Sequence, residues 1–217
     1  MHCGEKGASN FSPRLCPACV NQCSGIGTAR CTQCAAALTT DDALCLDCLQ
    51  SPQLFERTTA FADYSGVLQH IILAYKFHQQ LKFAPLLADI LNHTLTTQHT
   101  SDTLIIPIPQ HDDITRTRGF VPLLHILKQI NPPLNLEHTA LIRLHHKTLQ
   151  INASAAQRRT QIKGAFAATH DLSGVSVLLI DDVYTTGATL NEAAKVCLEA
   201  GAKNVQCVVL ARGKWVK

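Results

Sequence analysis

The expectation for this chain is an α/β fold, a parallel sheet flanked by helices, with a small zinc-ribbon-like module ahead of it. Three observations carry it. Unbroken apolar runs such as residues 177–180 alternate with stretches of helical periodicity, the pattern of strands buried on both faces of a parallel sheet. Eight of the ten cysteines fall before residue 49, which marks off a segment of different character. And 217 residues, 46% apolar and 16% charged, supply one substantial core with room for a small appended module.

Taken in chain order, residues 1–53 form the cysteine-rich module. They are poor in large apolar side chains, so a bound metal is the natural staple for them. Residues 50–53 read as a linker, and residues 54–217 as the main domain. Within it, 58–64 reads as a strand, 67–77 and 83–95 as helices, and 103–107 as a buried strand ended by Pro107 and Pro109. Residues 121–130 again show helical spacing. Beyond Pro132 and Pro133 the pattern weakens. It returns as a strand at 175–180, a helix at 189–200 stopped by Gly201, and a last strand at 205–210.

Nineteen Lys and Arg against 16 Asp and Glu leave a net charge of +3, too small to imply nucleic-acid or membrane binding by itself. The opening residues carry Glu5, Lys6 and Arg14 and no apolar run of the signal-peptide kind. No stretch approaches the roughly 20 apolar residues that a bilayer span requires. A cytoplasmic location without membrane insertion is expected.

In the first segment, Cys31-Thr-Gln-Cys34 and Cys45-Leu-Asp-Cys48 place four thiolates on two short turns ten residues apart. That spacing suits one tetrahedral structural zinc ion. A single Cys-x-x-Cys pair would equally suit redox chemistry, but two pairs in a core-poor segment favour metal. Cys16 and Cys19 make a third pair, able to join Cys23 and Cys3 around a second zinc or to compete with Cys45 and Cys48 for the central pair; spacing does not decide. Gly25-Ile-Gly27-Thr-Ala-Arg30 has the look of a dinucleotide fingerprint, yet it follows no strand and is set aside.

The most informative stretch is 177–190. An apolar strand delivers Asp181 and Asp182 to its carboxyl end, where open parallel sheets place their ligands. Thr185, Thr186 and Thr189 then supply hydroxyls, and Gly187 lets backbone approach a ligand just before a helix whose first amides favour an anion. Such a turn can hold a phosphate. The two carboxylates beside it suit sugar hydroxyls or a hydrated Mg2+. The competing structural role is a capping box between Thr189 and Glu192. The Walker phosphate-loop pattern occurs nowhere, so ordinary ATP hydrolysis is not expected.

Ile180-Asp-Asp-Val-Tyr-Thr-Thr-Gly-Ala-Thr189 resembles the 5-phosphoribosyl-1-pyrophosphate (PRPP) signature of the type I phosphoribosyltransferases. The resemblance implies a type I phosphoribosyltransferase-like fold in which Asp181 and Asp182 hold ribose hydroxyls. Thr185, Thr186, Gly187, Ala188 and Thr189 would wrap the 5-phosphate. With Tyr64-Ser65, Lys76-Phe77, Pro107-Ile108-Pro109, Arg116-Thr-Arg118-Gly-Phe120, Gln150, Arg158-Arg159 and Gly164-Ala-Phe166, the chain resembles the ComF/GntX family of competence-associated proteins almost end to end. Val121 and Gln161 depart from that family's pattern, which has Asn at both places. The resemblance implies Mg-PRPP binding, with Pro107 and Ile108 part of the PRPP site, and a role in DNA uptake and natural transformation.

Residues 114–170 hold eight basic side chains against Glu137 alone. One expectation assigns Arg116 and Arg118 to the pyrophosphate of PRPP, as catalytic groups alongside Asp181 and Asp182. Phosphoribosyl transfer, a glycosyltransferase reaction, would then follow from positioning and charge neutralisation. The rival is a non-catalytic adaptor whose basic face binds single-stranded DNA or a competence partner. A solvated basic face is the bland alternative.

Overall fold

The computed structural model describes residues 9–39, 43–96, 103–110, 119–131, 134–144 and 162–213. In chain order the elements are α1 (Pro17–Asn21), α2 (Leu46–Gln50), β1 (Thr58–Asp63), α3 (Gly66–Phe77), α4 (Ala84–Thr96), β2 (Leu104–Pro107), α5 (Pro122–Leu127), β3 (Leu141–Arg143), β4 (Phe166–Ala168), β5 (Ser176–Tyr184), α6 (Ala188–Glu199) and β6 (Asn204–Arg212). Among the described residues no helix is long and apolar enough to cross a membrane.

Four strands form one sheet in the order β1-β6-β5-β2, every pairing parallel. Alternation along each strand then divides the core in two. Leu178 and Ile180 of β5 join Val208 and Leu210 of β6 in a layer with Leu68 and Ile72 of α3 and Leu87 and Leu91 of α4. Val177 and Leu179 face the opposite way, with Val205, Cys207, Val209 and, from α6, Leu190, Ala193 and Ala194. Each large side chain buried in these layers contributes about 1.5–3 kcal/mol, so both faces of the sheet are covered for a clear energetic reason.

Two strands run further than their apolar cores, β5 to Tyr184 and β6, expected over 205–210, to Arg212. The strand expected at 175–180 continues to Tyr184, because β6 offers a ladder opposite Asp181, Val183 and Tyr184 at Val209, Ala211 and Arg212. The helix expected over 121–130 is regular only to Leu127, with Pro122 in its first turn; hydrogen bonds from Gln129 N to Ile126 O and Ile130 N to Leu127 O then close tighter turns. Where the pattern weakens after Pro133, β3 and β4 form an antiparallel pair that buries Leu141 and Phe166 beside α6.

The cysteine segment shares the main core. Cys31, Cys34, Cys48 and Phe55 pack in the α6 layer, while Leu15 and Cys23 pack in the α3–α4 layer. The Gly25 to Arg30 stretch is a turn clamped by its own arginine: Arg30 donates to Ala35 O at 2.7 Å, Gly25 O at 2.9 Å and Asp63 Oδ1 at 2.9 Å.

Candidate functional site

Parallel strands bring their carboxyl ends to one edge, so Asp63, Pro107, Tyr184 and Arg212 finish side by side. The acidic pair stands within the last turn of pleat of β5 rather than in the loop beyond it. Successive strand side chains leave on opposite faces, and the two acids divide accordingly. Asp182 turns toward α3, where Lys76 Nζ donates to its Oδ2 at 2.6 Å. Asp181 stands in the field of Arg143 from β3, a guanidinium whose face lies 5.5 Å from the Phe166 ring centroid.

Burial, with the neighbouring Asp182 charge second, pushes the Asp181 carboxyl up to about 7; the Asp182 backbone amide, which donates to Asp181 Oδ1 at 2.9 Å, and the cations Lys76 and Arg143 act against this. Desolvation in turn lowers Arg143, partly offset by Asp181. An oxygen-only pair with one reluctant carboxylate suits a hard cation or hydroxyl donors. Asp181 and Asp182 each could meet Mg2+ or a sugar hydroxyl from its own face of the strand.

Beyond Tyr184 the chain turns through Thr185, exposed, and Thr186, half-buried, into α6. The residue opening the helix is Gly187, at φ +77, and not Thr189. The Thr189–Glu192 capping box does not form. Glu192 Oε1 instead accepts from Gly164 N at 2.7 Å, so α6 is tied to the segment leading into β4. A side chain at residue 187 would drive its Cβ into Tyr184 Oη, which leaves glycine as the residue that fits. The early amides of α6 therefore open onto the 185–187 turn, with Ala188 N donating to Thr186 Oγ1 at 3.3 Å and Thr189 half-buried in the first helical turn.

Pro107 and Ile108 lie alongside: Pro107 is the register partner of Ile180, and Ile108 N donates to Ile180 O at 2.8 Å. The Ile108 side chain is buried in the α6 layer, so only its backbone can face a ligand. Arg116 and Arg118 lie outside the described residues, as do Gln150, Arg158, Arg159 and Cys3.

Under this edge sits the cysteine cluster. Cys45 precedes α2, which puts Cys48 one turn on and on the same side. Cys31 and Cys34 lie on a knuckle closed by Ala35 N donating to Cys31 O at 2.8 Å. The four Sγ atoms all lie within 4.8 Å of one another, with Cys34 and Cys45 at 3.6 Å. A Zn–S bond of about 2.3 Å implies tetrahedron edges of about 3.8 Å, so the cluster fits zinc. Burial pushes the Cys34 thiol up to about 11 and Cys48 higher still, the charge of neighbouring cysteines adding to both. Burial acts on Cys31 as well, but hydrogen bonds centred on Cys45, Cys34 and Gln33 outweigh it and bring that thiol down to about 7. Four thiolates can coexist here only around a cation. This is the one such group among the described residues. Cys16, Cys19 and Cys23 stand apart from it, Cys23 donating to Cys19 O at 3.4 Å.

Sequence reasoning missed two cations. Lys76 stood only as part of a dipeptide and Arg143 only in a charge count; neither spacing nor period links them to residues 181–182. It also passed over Arg212, which is 7% exposed and reaches from the cysteine knuckle to the turn.

The chain is similar to several known proteins. A family model described as a phosphoribosyl transferase domain matches residues 116–214. DNA utilization protein YhgH of Escherichia coli O157:H7 is 30% identical over 189 residues, 84% of this chain and 83% of that one. Competence protein F of Haemophilus influenzae is 28% identical over 208 residues, 91% and 90% of the two chains. Competence protein ComFC of Streptococcus pneumoniae is 28% identical over 204 residues, covering 91% and 87%. Among solved structures, a hypoxanthine phosphoribosyltransferase from Staphylococcus aureus aligns with 60% of this chain and 64% of its own, at 15% identity and a TM-score of 0.38.

Proposed function

The chain belongs to the ComF-type family of phosphoribosyltransferase-domain proteins and has their type I fold, and on that premise we propose that it binds Mg-PRPP at the β5–α6 turn and acts in DNA uptake. One observation carries the ligand: Gly187, at φ +77, opens α6 three residues beyond the end of a strand whose carboxyl half bears two carboxylates at the sheet's ligand-binding edge. Thr185, Thr186, Gly187, Ala188 and Thr189 take the 5-phosphate. Asp181 and Asp182 take the ribose hydroxyls, and the backbone of Pro107 and Ile108 lines the far side. The role in DNA uptake rests on what the relatives are called, and the cytoplasm is proposed for it because a four-thiol metal site needs its cysteines reduced.

The reaction this arrangement suits is phosphoribosyl transfer. Mg2+ held beside Asp181 and Asp182 would supply counter-charge for the departing pyrophosphate. Arg116 and Arg118 are assigned to the same group. Asp181 and Asp182 orient C1 of the ribose by gripping its hydroxyls, and positive charge developing on the sugar is favoured beside them. Calorimetry with PRPP and Mg2+ tests the site: micromolar binding that an Asp181→Asn, Asp182→Asn double variant loses is the expected result, and unchanged binding by that variant would overturn it. Pyrophosphate release with a panel of bases tests the chemistry.

A second reading, a non-catalytic adaptor that senses PRPP while its basic segment holds single-stranded DNA, draws support from the Lys76–Asp182 pair, which already satisfies one carboxylate, and from the positive excess over 114–170. Binding of PRPP without turnover, together with steeply salt-dependent binding of single strands, would favour the adaptor.

A further inference from the structure

We propose that Arg212 couples the four-cysteine module to the phosphate turn, so that metal occupancy at Cys31, Cys34, Cys45 and Cys48 sets how firmly residues 185–189 hold a sugar phosphate. The ligand in this statement rests on the reading given above; the coupling rests on the contacts of Arg212.

Arg212 ends β6 and is 7% exposed. A buried guanidinium is costly unless its donors and charge are met. Among the described residues its donors meet carbonyl oxygens. Nε donates to Cys34 O at 2.8 Å, and Nη1 donates to Thr185 O at 2.9 Å, to Tyr184 O at 3.2 Å and to Gly213 O. Its guanidinium carbon lies 4.4 Å from the Tyr184 ring centroid. One rigid, planar group thus ties the carbonyl of a zinc-binding cysteine to the first carbonyl of the phosphate turn. Four thiolates around one Zn2+ carry a net charge of −2, a counter-charge for Arg212 that an empty, protonated cluster lacks.

From Arg212 the contact chain reaches the start of α6 without a gap. The Tyr184 ring lies under the guanidinium, and its hydroxyl bounds Gly187 so closely that no Cβ fits. A second strap runs in parallel. Gln33, between the first two cysteines, donates from Nε2 to Gln53 O at 3.2 Å, and Leu54 N donates to Asn191 Oδ1 in the first turn of α6 at 2.7 Å. Loosening the knuckle at Cys34 therefore frees Arg212, Tyr184 and the amides that would face a phosphate. In this arrangement Arg212 is a positioning residue, remote from the reacting atoms.

The test compares the full-length zinc-loaded protein with the same protein stripped by a chelator, and both with Arg212→Lys, which keeps the charge and loses the fork. Amide hydrogen exchange across 185–190 should quicken about tenfold or more on stripping while β2 stays protected. Mg-PRPP should bind correspondingly more weakly, a coupling within the usual 5- to 150-fold range. By reciprocity, saturating Mg-PRPP should raise the zinc affinity of wild type, read by equilibrium competition with a chromogenic chelator, by the same factor, and Arg212→Lys should abolish that rise. Unchanged exchange at 185–190 after stripping, with β2 intact, would overturn the proposal. If stripping unfolds the sheet, zinc-loaded Arg212→Lys decides: wild-type exchange at the turn and a wild-type response of zinc affinity to Mg-PRPP would refute it. If PRPP fails to bind at all, the exchange arm still stands, so loss of the ligand reading and loss of the coupling give different results.

Discussion

Lys76 and Asp182, 106 residues apart in the chain, meet at 2.6 Å where the end of α3 reaches the end of β5, their side chains 18% and 14% exposed. The pair aims Asp182 along the edge where the turn opens. A ligand hydroxyl that engages Asp182 must share it with Lys76.

Lys76→Met leaves Asp182 without its cation in a poorly hydrated place, at a cost of about 1–3 kcal/mol, reduced by the residual exposure. A lowered denaturation midpoint is expected, with the Lys76→Met, Asp182→Asn double variant more stable than Lys76→Met alone. Additive effects of the two changes would show that the ion pair contributes nothing.

Asp181 gives a pH dependence of defined sign. Burial raises its carboxyl to about 7, against about 4 in the unfolded chain. The folded state therefore holds this proton more tightly, and the Asp181 contribution to stability declines as pH rises from about 4 to about 7. Gripping ribose hydroxyls or Mg2+ needs the ionised form. Mg-PRPP affinity should fall about tenfold between pH 8 and pH 6 beyond what titration of PRPP itself produces. Calorimetry on Asp181→Asn should show weak binding in which this extra dependence is gone.

Gly187→Ala combines a left-handed backbone with a clash against Tyr184. The backbone alone costs about 1–2 kcal/mol, and the displaced turn should lose most of its Mg-PRPP affinity. Thermal unfolding and calorimetry read the two effects separately. Tyr184→Phe should not rescue the variant, since the added Cβ would still lie 2.6 Å from the ring carbon Cζ.

Zinc content separates the cysteine pairs. A Cys31→Ser, Cys45→Ser variant should lose the ion of the central cluster and much of its stability, because burial leaves the remaining thiols unable to share their charge. Cys16→Ser, Cys19→Ser should keep the central ion. Elemental analysis of the zinc-to-protein ratio checks both, and full retention of zinc by the first variant would remove the assignment.

The strands at Thr58–Asp63 and Leu104–Pro107 and the helices Gly66–Phe77, Ala84–Thr96 and Ala188–Glu199 lie within a few residues of where periodicity puts them. Their signals are local, apolar period against turn chemistry, and short-range physics settles them. The β3–β4 pair was not legible, because each strand is three residues long and stabilised by packing on α6. The capping box weighed as the competing role for this turn does not form, for a related reason. Glu192 answers a backbone amide at Gly164, 28 residues away, and nothing near it in the chain announces that partner.

What lay in the chain's own order was the alternation of strand and helix, the two cysteine pairs and the Asp-Asp…Thr-Gly turn at the end of an apolar run, all features defined by spacing over a dozen residues or fewer. Which cysteine pairs unite, which cation faces which acid and how Arg212 joins the cysteine cluster to the turn were settled by tertiary structure. Parallel strands gather their ends at one edge whatever their separation in sequence, and burial there makes each charge depend on neighbours brought from 33 to 178 residues away.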